Sequence, residues 1–230
     1  MIAERLQAVE AEIEAAKKRR ARVSKDASVT LIAVTKNHDV TAMREAIDAG
    51  IEEIGENRIQ EAKEKFGTLE RNVKWHLIGH LQTNKARVAV ALFDLIHSVD
   101  SEHLARAIDK EAGKIGKRQD VLVQVNLAKE ESKSGIYKED LRSLLDVVDA
   151  LPNLHLAGLM CIAPNYDDVE KCRPLFREMY EIFLKTKEIP FHDANIKYLS
   201  MGMSHDYAIA VEEGANLVRV GTAIFGPRQY

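Results

Sequence analysis

The stretch VTLIAVTK, residues 29–36, decides the fold that we predict, because an apolar run ends there on a lysine. The run is rich in β-branched and aliphatic side chains, and it lacks the polar alternation of a strand with one face in water. Such a run is typical of a parallel strand that is buried on both faces. Similar runs predict eight strands, over Val29–Val34, Glu53–Gly55, Val73–Ile78, Leu92–His97, Val121–Val125, Leu154–Met160, Ile196–Leu199 and Asn216–Val220.

Longer amphipathic segments separate these runs and predict helices. Strands that alternate with helices indicate a parallel sheet. Eight strands favour an α/β fold, the closed (β/α)8 barrel of the TIM type, over an open doubly wound sheet, which remains the alternative. The helices are predicted over Val40–Ala49, Arg58–Phe66, Lys85–Ala91, Glu102–Lys114, Lys138–Ala150, Asp168–Thr186 and Asp206–Glu213.

The two ends of the sequence add to this pattern. An extra N-terminal helix is predicted over Ile2–Arg22, where apolar residues recur at spacings of three and four. Only residues 221–230 follow the eighth strand, so we expect a truncated last helix. We expect the first helix to pack near the gap that this truncation leaves. The whole chain, residues 1–230, is predicted to be one domain.

The charge balance argues against several classes of partner. The 33 basic and 36 acidic side chains give a net charge of −3, which favours neither nucleic acid nor an anionic membrane. No apolar run is long enough to span a bilayer, and the charged N-terminal segment lacks the apolar core of a secretory signal. The two cysteines lie outside any metal-like cluster, which indicates a reducing, cytoplasmic location.

Lys36 lies where the first strand opens into its loop, at the end of the barrel where such folds place their active sites. An amine above an apolar run can have its pKa lowered by desolvation, and such amines form Schiff bases with carbonyl groups. A lysine that merely extends its stem from a strand end to solvent is the alternative. Position alone does not separate the two interpretations.

Two loops late in the sequence have features of a phosphate site. Ser200–Ser204 follows the seventh strand, with Ser204 placed to cap the helix that begins at Asp206 and Gly202 letting the backbone approach a ligand. Gly221–Thr222 follows the eighth strand and offers backbone N–H donors and a hydroxyl. An ordinary cap and an ordinary turn explain either loop alone. Because TIM barrels often hold phosphate after strands seven and eight, the two loops together favour a phosphate.

A closed barrel brings Lys36 close to these loops, because strand eight pairs with strand one about 4.8 Å away. Pyridoxal 5′-phosphate, with a phosphate at one end and an aldehyde at the other, would join them. Arg219 lies two residues before Gly221 and shares its face of the strand. In the barrel mouth it would donate to the pyridine nitrogen, where a cation weakens the ring as an electron sink. A salt bridge with a nearby carboxylate is the alternative.

Six segments of the sequence, in order, identify a family. They are AVTK (33–36), IGEN (54–57), HLIGHLQTNK (76–85), GLMCIAP (158–164), LSMGMSHDY (199–207) and VRVGTAIFG (218–226). Together they resemble the pyridoxal phosphate homeostasis protein family over nearly the whole chain. That family is similar to the N-terminal barrel of alanine racemase, of fold-type III.

The resemblance implies a protein that binds pyridoxal 5′-phosphate and buffers or delivers it inside the cell. It implies that Lys36 carries the cofactor as a Schiff base and would be the catalytic group of any reaction. It also implies that Arg219 faces the pyridine nitrogen. It further implies that Ser204, Gly221 and Thr222 hold the phosphate and that Asn57 and His80 line the pocket. Ser200, after the seventh strand, is predicted as another cofactor-binding residue.

An enzyme, a pyridoxal phosphate-dependent amino-acid racemase or lyase of narrow scope, is the alternative function. Two-base racemisation needs an acid/base group on each face of the bound substrate. Lys36 serves one face, but in alanine racemase a tyrosine of a C-terminal domain serves the other. We expect that domain to be missing here, since the sequence ends at Tyr230. Because that domain also forms the racemase dimer, we expect a monomer that contacts apo enzymes transiently.

A metal-dependent hydrolase is a third possible class of function, because strands three and four carry histidines. His76 and His80 would lie about 13 Å apart on one strand, at about 3.3 Å per residue. His103 is predicted to lie on a helix, away from His97. No compact ligand set is therefore expected, and we predict no metal.

Overall fold

The computed structural model describes residues 1–227 and closes eight parallel strands into one barrel, in chain order. The strands are β1 Thr30–Val34, β2 Glu53–Glu56, β3 Lys74–Leu77, β4 Leu95–Val99, β5 Gln119–Val125, β6 Leu154–Cys161, β7 Tyr198–Met203 and β8 Leu217–Val220. The helices are α1 Ile2–Lys18, α2 Val40–Asp48, α3 Ile59–Leu69, α4 Ala86–Leu92, α5 Glu102–Lys114, α6 Leu141–Ala150, α7 Arg173–Lys187, α8 Tyr207–Glu212 and α9 Thr222–Phe225.

The barrel closes between β1 and β8, which pair in parallel with Ile32 opposite Arg219. Every other strand pairs in parallel with its neighbours in sequence. The predicted (β/α)8 barrel is therefore confirmed, and the open doubly wound sheet is wrong. Closure places the loop after β1 beside the loop after β8, which is the neighbourhood that the predicted site requires.

Apolar side chains form two separate clusters. The larger cluster lies between the strands and the surrounding helices and includes Met43, Phe93 and Phe176, which have no exposed surface. Alternate strand residues point into the barrel, and the smaller cluster fills part of that interior. It contains Ile32, Leu95, Leu122, Ala157, Met160 and Leu217. Polar side chains of β3, β4, β7 and β8 share the interior with them.

The N-terminal helix α1 packs against α8 and α9, as expected. The last helix, α9, has only four residues, so the predicted truncation is also confirmed. Helix α1 ends at Lys18 instead of Arg22. The cause is the buried guanidinium of Arg20, which donates to the carbonyls of Ala27 (2.8 Å) and Val211 (3.0 Å) and draws the chain out of the helix.

Two predicted strands are misplaced. Strand β4 begins at Leu95, because the residues before it end α4 and because the Asp94 carboxylate accepts from the Trp75 N–H (2.8 Å). Strand β7 continues through Gly202 to Met203, beyond its predicted end, with an irregular register against β8. Within residues 1–227, no helix is both long and apolar enough to cross a membrane.

Candidate functional site

A cavity of about 410 Å³ opens at the carboxyl ends of β1, β7 and β8. Its size is in the range of small-molecule sites. The cations Lys36 and Arg219 line it, together with the apolar side chains of Val34, Ile78 and Ile162. Among the described residues that line it there is no carboxylate. The cavity brings together most of the predicted site, namely Lys36, Asn57, Ser204, Arg219, Gly221 and Thr222.

A buried ion cluster fixes the backbone just before Lys36. The Lys65 ammonium of α3 donates to the carbonyl oxygen of Thr35 (2.7 Å) and to Glu56 Oε1 (2.8 Å). The Thr35 hydroxyl donates to the same Glu56 oxygen (2.6 Å). Since Glu56 is fully buried at the end of β2, these bonds attach the end of β1 to β2 and α3.

Glu61 completes this cluster from the first turn of α3. Its carboxylate accepts from Lys65 Nζ (2.6 Å) and from the backbone N–H of Asn37, so the residues on both sides of Lys36 are fixed. Desolvation raises the pKa of the Glu56 carboxyl, and the opposing attraction of Lys65 does not cancel that effect. No sequence pattern predicts this cluster. Its only signal was a carboxylate, Glu56, at the end of an apolar strand.

The two predicted phosphate loops meet at the hydroxyl of Ser204. Its Oγ accepts from the Gly221 N–H (3.0 Å) and the Ala223 N–H (3.5 Å). The Ser204 hydrogen remains to be donated, and Thr222 lines the same cavity. The expectation that Ser204 caps the next helix is wrong, because Asp206 is the N-cap of α8. Ser204 instead connects the end of β7 to the start of α9.

Gly202 has a positive φ of 96° and lies against α8. A Cβ at this position would lie 2.6 Å from the Cβ of Ala210 and 2.9 Å from the Cα of Tyr207. The close approach that requires glycine is therefore to a helix and not to a ligand, which corrects the predicted reason for this residue. Gly202 thus sets the distance between α8 and the end of β7, where Ser204 follows.

A ring contact joins the loop after β1 to α9. His38 stacks on Phe225 with 4.5 Å between ring centroids. Lys36 lies two residues before His38, and Thr222 lies three residues before Phe225. The stack therefore holds the loop that carries the amine beside the loop that carries the hydroxyl.

Arg219 extends inside the barrel and is 2% exposed. It donates to Ser200 Oγ (2.5 Å) and to the carbonyl oxygen of Cys161 (3.0 Å). Within the described part of the chain it forms no salt bridge with a carboxylate, so that alternative is wrong. Burial lowers the pKa of Arg219, against weaker opposing effects of Cys161 and Asp206. A guanidinium nevertheless keeps its charge at neutral pH.

Of the remaining predicted residues, Asn57 lines the cavity, whereas His80 and Ser200 do not. Asn57 lines the cavity from the end of β2. His80 is exposed outside the cavity lining, with its Nδ1 3.2 Å from Ser134 Oγ. Ser200 is fully buried in β7 and contacts Arg219 instead of lining the cavity. Direct cofactor contacts of His80 and Ser200 stay predictions, and the position of Ser200 suits support of Arg219.

The geometry supports neither a metal site nor a reactive cysteine thiolate. Among residues 1–227, no group of three or more His, Cys, Asp and Glu side chains is arranged to hold a metal ion. His76 and His97 meet, but their ring nitrogens contact each other at 2.9 Å. Burial raises the pKa of the Cys161 thiol to about 12, so this cysteine is protonated at neutral pH.

The alanine racemase N-terminal domain family matches residues 5–229 of this chain. A pyridoxal phosphate homeostasis protein of Aquifex aeolicus is 41% identical over 201 residues, which cover 87% of each chain. A protein of the same name from Vibrio cholerae is 37% identical over 234 residues, which cover 100% of this chain and 97% of the relative.

Solved structures share the barrel. PipY of Synechococcus elongatus PCC7942, solved with PLP bound, is 39% identical with a TM-score of 0.86, over 98% of this chain and 100% of PipY. Alanine racemase of Streptomyces lavendulae is 18% identical with a TM-score of 0.67, over 97% of this chain and 60% of that one, which is a likeness of fold alone. This chain therefore belongs to the pyridoxal phosphate homeostasis protein family, which shares the barrel of the alanine racemase N-terminal domain.

Proposed function

We propose that this protein binds pyridoxal 5′-phosphate and contributes to its homeostasis in the cell by buffering and delivering it. The observation that carries the proposal is a single cavity lined by Lys36, Arg219, Ser204 and Thr222. These amine, guanidinium and hydroxyl groups are the partners that an aldehyde, a ring nitrogen and a phosphate need. The names of the relatives, and the structure of PipY with PLP bound, support the proposal.

The cavity fits this cofactor in charge and in surface. Its cations, and the lack of carboxylates among the described lining residues, suit a dianionic phosphate. The apolar side chains of Val34, Ile78 and Ile162 suit the faces of a pyridine ring. We assign the phosphate to Ser204, Gly221 and Thr222. The N–H of Gly221 already donates to Ser204, so Gly221 acts on the phosphate chiefly through that hydroxyl.

Lys36 is assigned the covalent contact. Its amine adds to the aldehyde carbon of the cofactor and, with loss of one water molecule, forms a Schiff base. The bonds of Lys65 to Thr35 and of Glu61 to Asn37 hold the backbone of Lys36 while this bond forms and breaks. Because water reverses the reaction, the same amine can bind the cofactor and release it, as buffering and delivery require.

Arg219 favours a carrier over a racemase. When bound, the cofactor supplies an aromatic ring that accepts electrons, and it does so best with a protonated ring nitrogen. The guanidinium donates hydrogen bonds and accepts none, so it suits an unprotonated nitrogen. Met203 lines the cavity and is 38% exposed, so part of the cavity wall is in contact with solvent, which suits release.

We expect the protein loaded with pyridoxal 5′-phosphate to restore the activity of an apo enzyme that needs this cofactor. We also expect it to racemise alanine and serine no faster than the free cofactor does. Regained enzyme activity and chiral analysis of the amino acids measure the two effects, with Lys36→Ala as the control. Racemisation far above that of the free cofactor, and lost in Lys36→Ala, would favour the enzyme instead.

We further propose that the protein acts as a monomer in the cytoplasm and meets recipient enzymes transiently. The exposed large apolar side chains of the described residues lie on or next to different helices and strands, which supports the monomer; they are Met1, Phe66, Ile115, Tyr137, Leu184 and Met203. Cys161 and Cys172 are free and buried, which supports a reducing compartment. Sedimentation at several protein concentrations tests the monomer.

Removal of the Ser204 hydroxyl is expected to weaken phosphate recognition. In Ser204→Ala the phosphate loses a donor, and the N–H groups of Gly221 and Ala223 lose their acceptor. We expect the preference for pyridoxal 5′-phosphate over pyridoxal to fall about tenfold, since hydrogen bonds to charged groups are stronger than neutral ones. Titration with both ligands measures this preference, and Ser143→Ala on the exposed face of α6 is the matched control. An unchanged preference in Ser204→Ala would contradict the assignment.

A further inference from the structure

A column of polar side chains crosses the inside of the barrel, from the cavity towards its opposite end. Arg219 Nη1 lies 2.5 Å from Ser200 Oγ, which lies 2.9 Å from His97 Nδ1. His97 Nε2 lies 2.9 Å from His76 Nδ1. His76 Nε2 lies 2.9 Å from Glu53 Oε2. We call Ser200, His97, His76 and Glu53 the interior chain.

The cavity end of the interior chain has a defined donor. The guanidinium of Arg219 can only donate, so Ser200 Oγ accepts from it. The single hydrogen of Ser200 is then free to be donated to His97 Nδ1. Burial lowers the pKa of His97 well below its usual value, and its neighbours His76 and Arg219 lower it further. His97 is therefore neutral, with one ring nitrogen that donates and one that accepts.

The opposite end fixes the direction of the hydrogen bonds. The Glu53 carboxylate only accepts, so His76 Nε2 carries a hydrogen, although this contact has the distance and not the alignment of a hydrogen bond. When His76 carries one hydrogen, on Nε2, its Nδ1 accepts from His97 Nε2. The reverse order would face a lone pair of His76 towards the carboxylate and deprive the Ser200 hydrogen of its acceptor. In this arrangement the donors point from Arg219 towards Glu53.

Glu53 keeps its negative charge at this end. Desolvation alone would raise the pKa of its carboxyl, but contacts with His76 and Lys74 outweigh burial and hold that pKa below its usual value. The Lys74 ammonium donates to Glu53 Oε1 (3.1 Å). Both residues line a second cavity, of about 340 Å³, around the start of β2, β3 and β4. The interior chain thus links this second cavity to the site of Lys36.

We propose that the interior chain orients Arg219 towards the ring nitrogen of the cofactor, so that its four members are positioning residues for cofactor selection. The inference rests on the proposed function and adds residues that lie outside the cavity lining and act through Arg219. Within residues 1–227 buried Arg219 forms no salt bridge with a carboxylate, although the charge of Asp206 acts on it from a greater distance. Hydrogen bonds in a row polarise one another, and the Glu53 carboxylate lies 2.9 Å from the last ring, so the chain lets the charge of Glu53 stabilise the guanidinium from the far end of the barrel.

A purely structural role is the competing explanation, because buried polar groups need partners in any protein. The two explanations differ in what they predict for ligands. A structural defect weakens every ligand of the cavity alike. A misplaced Arg219 weakens only a ligand that offers a ring nitrogen. Pyridoxal 5′-phosphate and its 1-deaza analogue, in which C–H replaces that nitrogen, separate the two effects.

The experiment measures the ratio of the dissociation constants of the 1-deaza analogue and of pyridoxal 5′-phosphate for purified full-length protein. We expect Ser200→Ala to lower this ratio about tenfold, mostly through weaker binding of pyridoxal 5′-phosphate. Glu53→Gln keeps an acceptor but removes the charge, so it should lower the ratio about threefold. Ser98→Ala is the matched control, because Ser98 is equally buried on β4 and its hydroxyl has no hydrogen-bond partner in the described residues.

The outcomes separate failure of this inference from failure of the proposed function. If the wild-type protein prefers pyridoxal 5′-phosphate and Ser200→Ala retains that preference, the inference alone is wrong. Equal weakening of both ligands in Ser200→Ala, or the same loss of preference in Ser98→Ala, also overturns it. A wild-type protein that binds neither ligand contradicts the proposed function itself. If Ser200→Ala does not fold, an unchanged ratio in Glu53→Gln overturns the inference.

Discussion

Replacement of Lys36 by alanine is expected to abolish the visible absorbance that the protein acquires with pyridoxal 5′-phosphate. Without the amine no Schiff base forms, and borohydride has no bond to reduce. The contacts with Arg219, Ser204 and Thr222 remain, so the variant should retain weak, non-covalent binding. We expect affinity to fall at least about a hundredfold, roughly 2.8 kcal/mol. Absorbance titration before and after borohydride measures both effects.

Lys85→Ala is the matched control for this experiment. Lys85 is an exposed lysine in the loop after β3, outside the cavity lining. The control should bind the cofactor as the wild type does and show the same absorbance, bleached by borohydride. If Lys36→Ala kept a reducible absorbance band and Lys85→Ala lost it, the covalent contact would be on the wrong lysine.

Lys65→Met is expected to have the largest effect on stability, with a loss of about 3–5 kcal/mol in the free energy of unfolding. The change leaves the fully buried carboxylate of Glu56 without its cation, and it frees the carbonyl of Thr35. Breaking one partner of a buried pair is costly because the remaining charge stays desolvated. Urea unfolding of the purified variant measures the loss. We also expect weaker binding of pyridoxal 5′-phosphate, since the backbone beside Lys36 is no longer fixed.

The stability that Lys65→Met loses should be smaller in acid than at neutral pH. The folded-state pKa of Glu56 is already raised by desolvation, and removal of Lys65 raises it further. A carboxyl whose folded pKa exceeds its unfolded value of about 4.3 favours folding below that value. This contribution is lost as the pH rises through the folded pKa. Lys65→Met should therefore be closer to the wild type in acid than at neutral pH.

Two further variants separate this mechanism from a general effect of losing a lysine. Lys63→Met changes an exposed lysine two positions away on α3 and should cost little. Adding Glu56→Gln to Lys65→Met removes the unpaired charge and should recover part of the lost stability, a non-additivity typical of contacting residues. A double variant as unstable as the sum of both single changes would rule out the ion cluster as the cause.

The barrel was predictable from sequence because most of its strands carry their own signal. The β1 and β5 segments are runs of aliphatic and β-branched residues, and burial on both faces demands such runs wherever they lie. Strand β7, YLSMGM, has no such run. Its Ser200 and Gly202 are there for tertiary reasons, a contact with Arg219 and the packing of α8. No local pattern records those contacts, so the strand was misplaced.

The candidate site likewise contains residues that the sequence predicts and residues that it does not. Lys36, Ser204 and Thr222 follow strand ends, and parallel closure brings such positions together, so the sequence predicts their neighbourhood. Lys65 could not be found in this way. It lies within an amphipathic helix near Lys63, and their sequence surroundings are alike. Only the packing of α3 on the barrel makes Lys65 buried and leaves Lys63 exposed.

Sequence patterns also did not predict the interior chain. His76 and His97 were considered as metal ligands, because histidines are metal ligands in many proteins. The structure instead joins their rings in a column between Ser200 and Glu53. Alternation along β3 and along β4 assigns each ring only to a face of its own strand. It does not predict the contact, which depends on the relative registers of four strands.

The covalent site of the cofactor tests the central claim most directly. The protein is incubated with pyridoxal 5′-phosphate, reduced with borohydride and digested, and the modified peptide is identified by mass spectrometry. We expect one phosphopyridoxyl group per chain, on the Nζ of Lys36. A group on another lysine, a group spread over several lysines at low yield, or an unmodified protein would contradict the account.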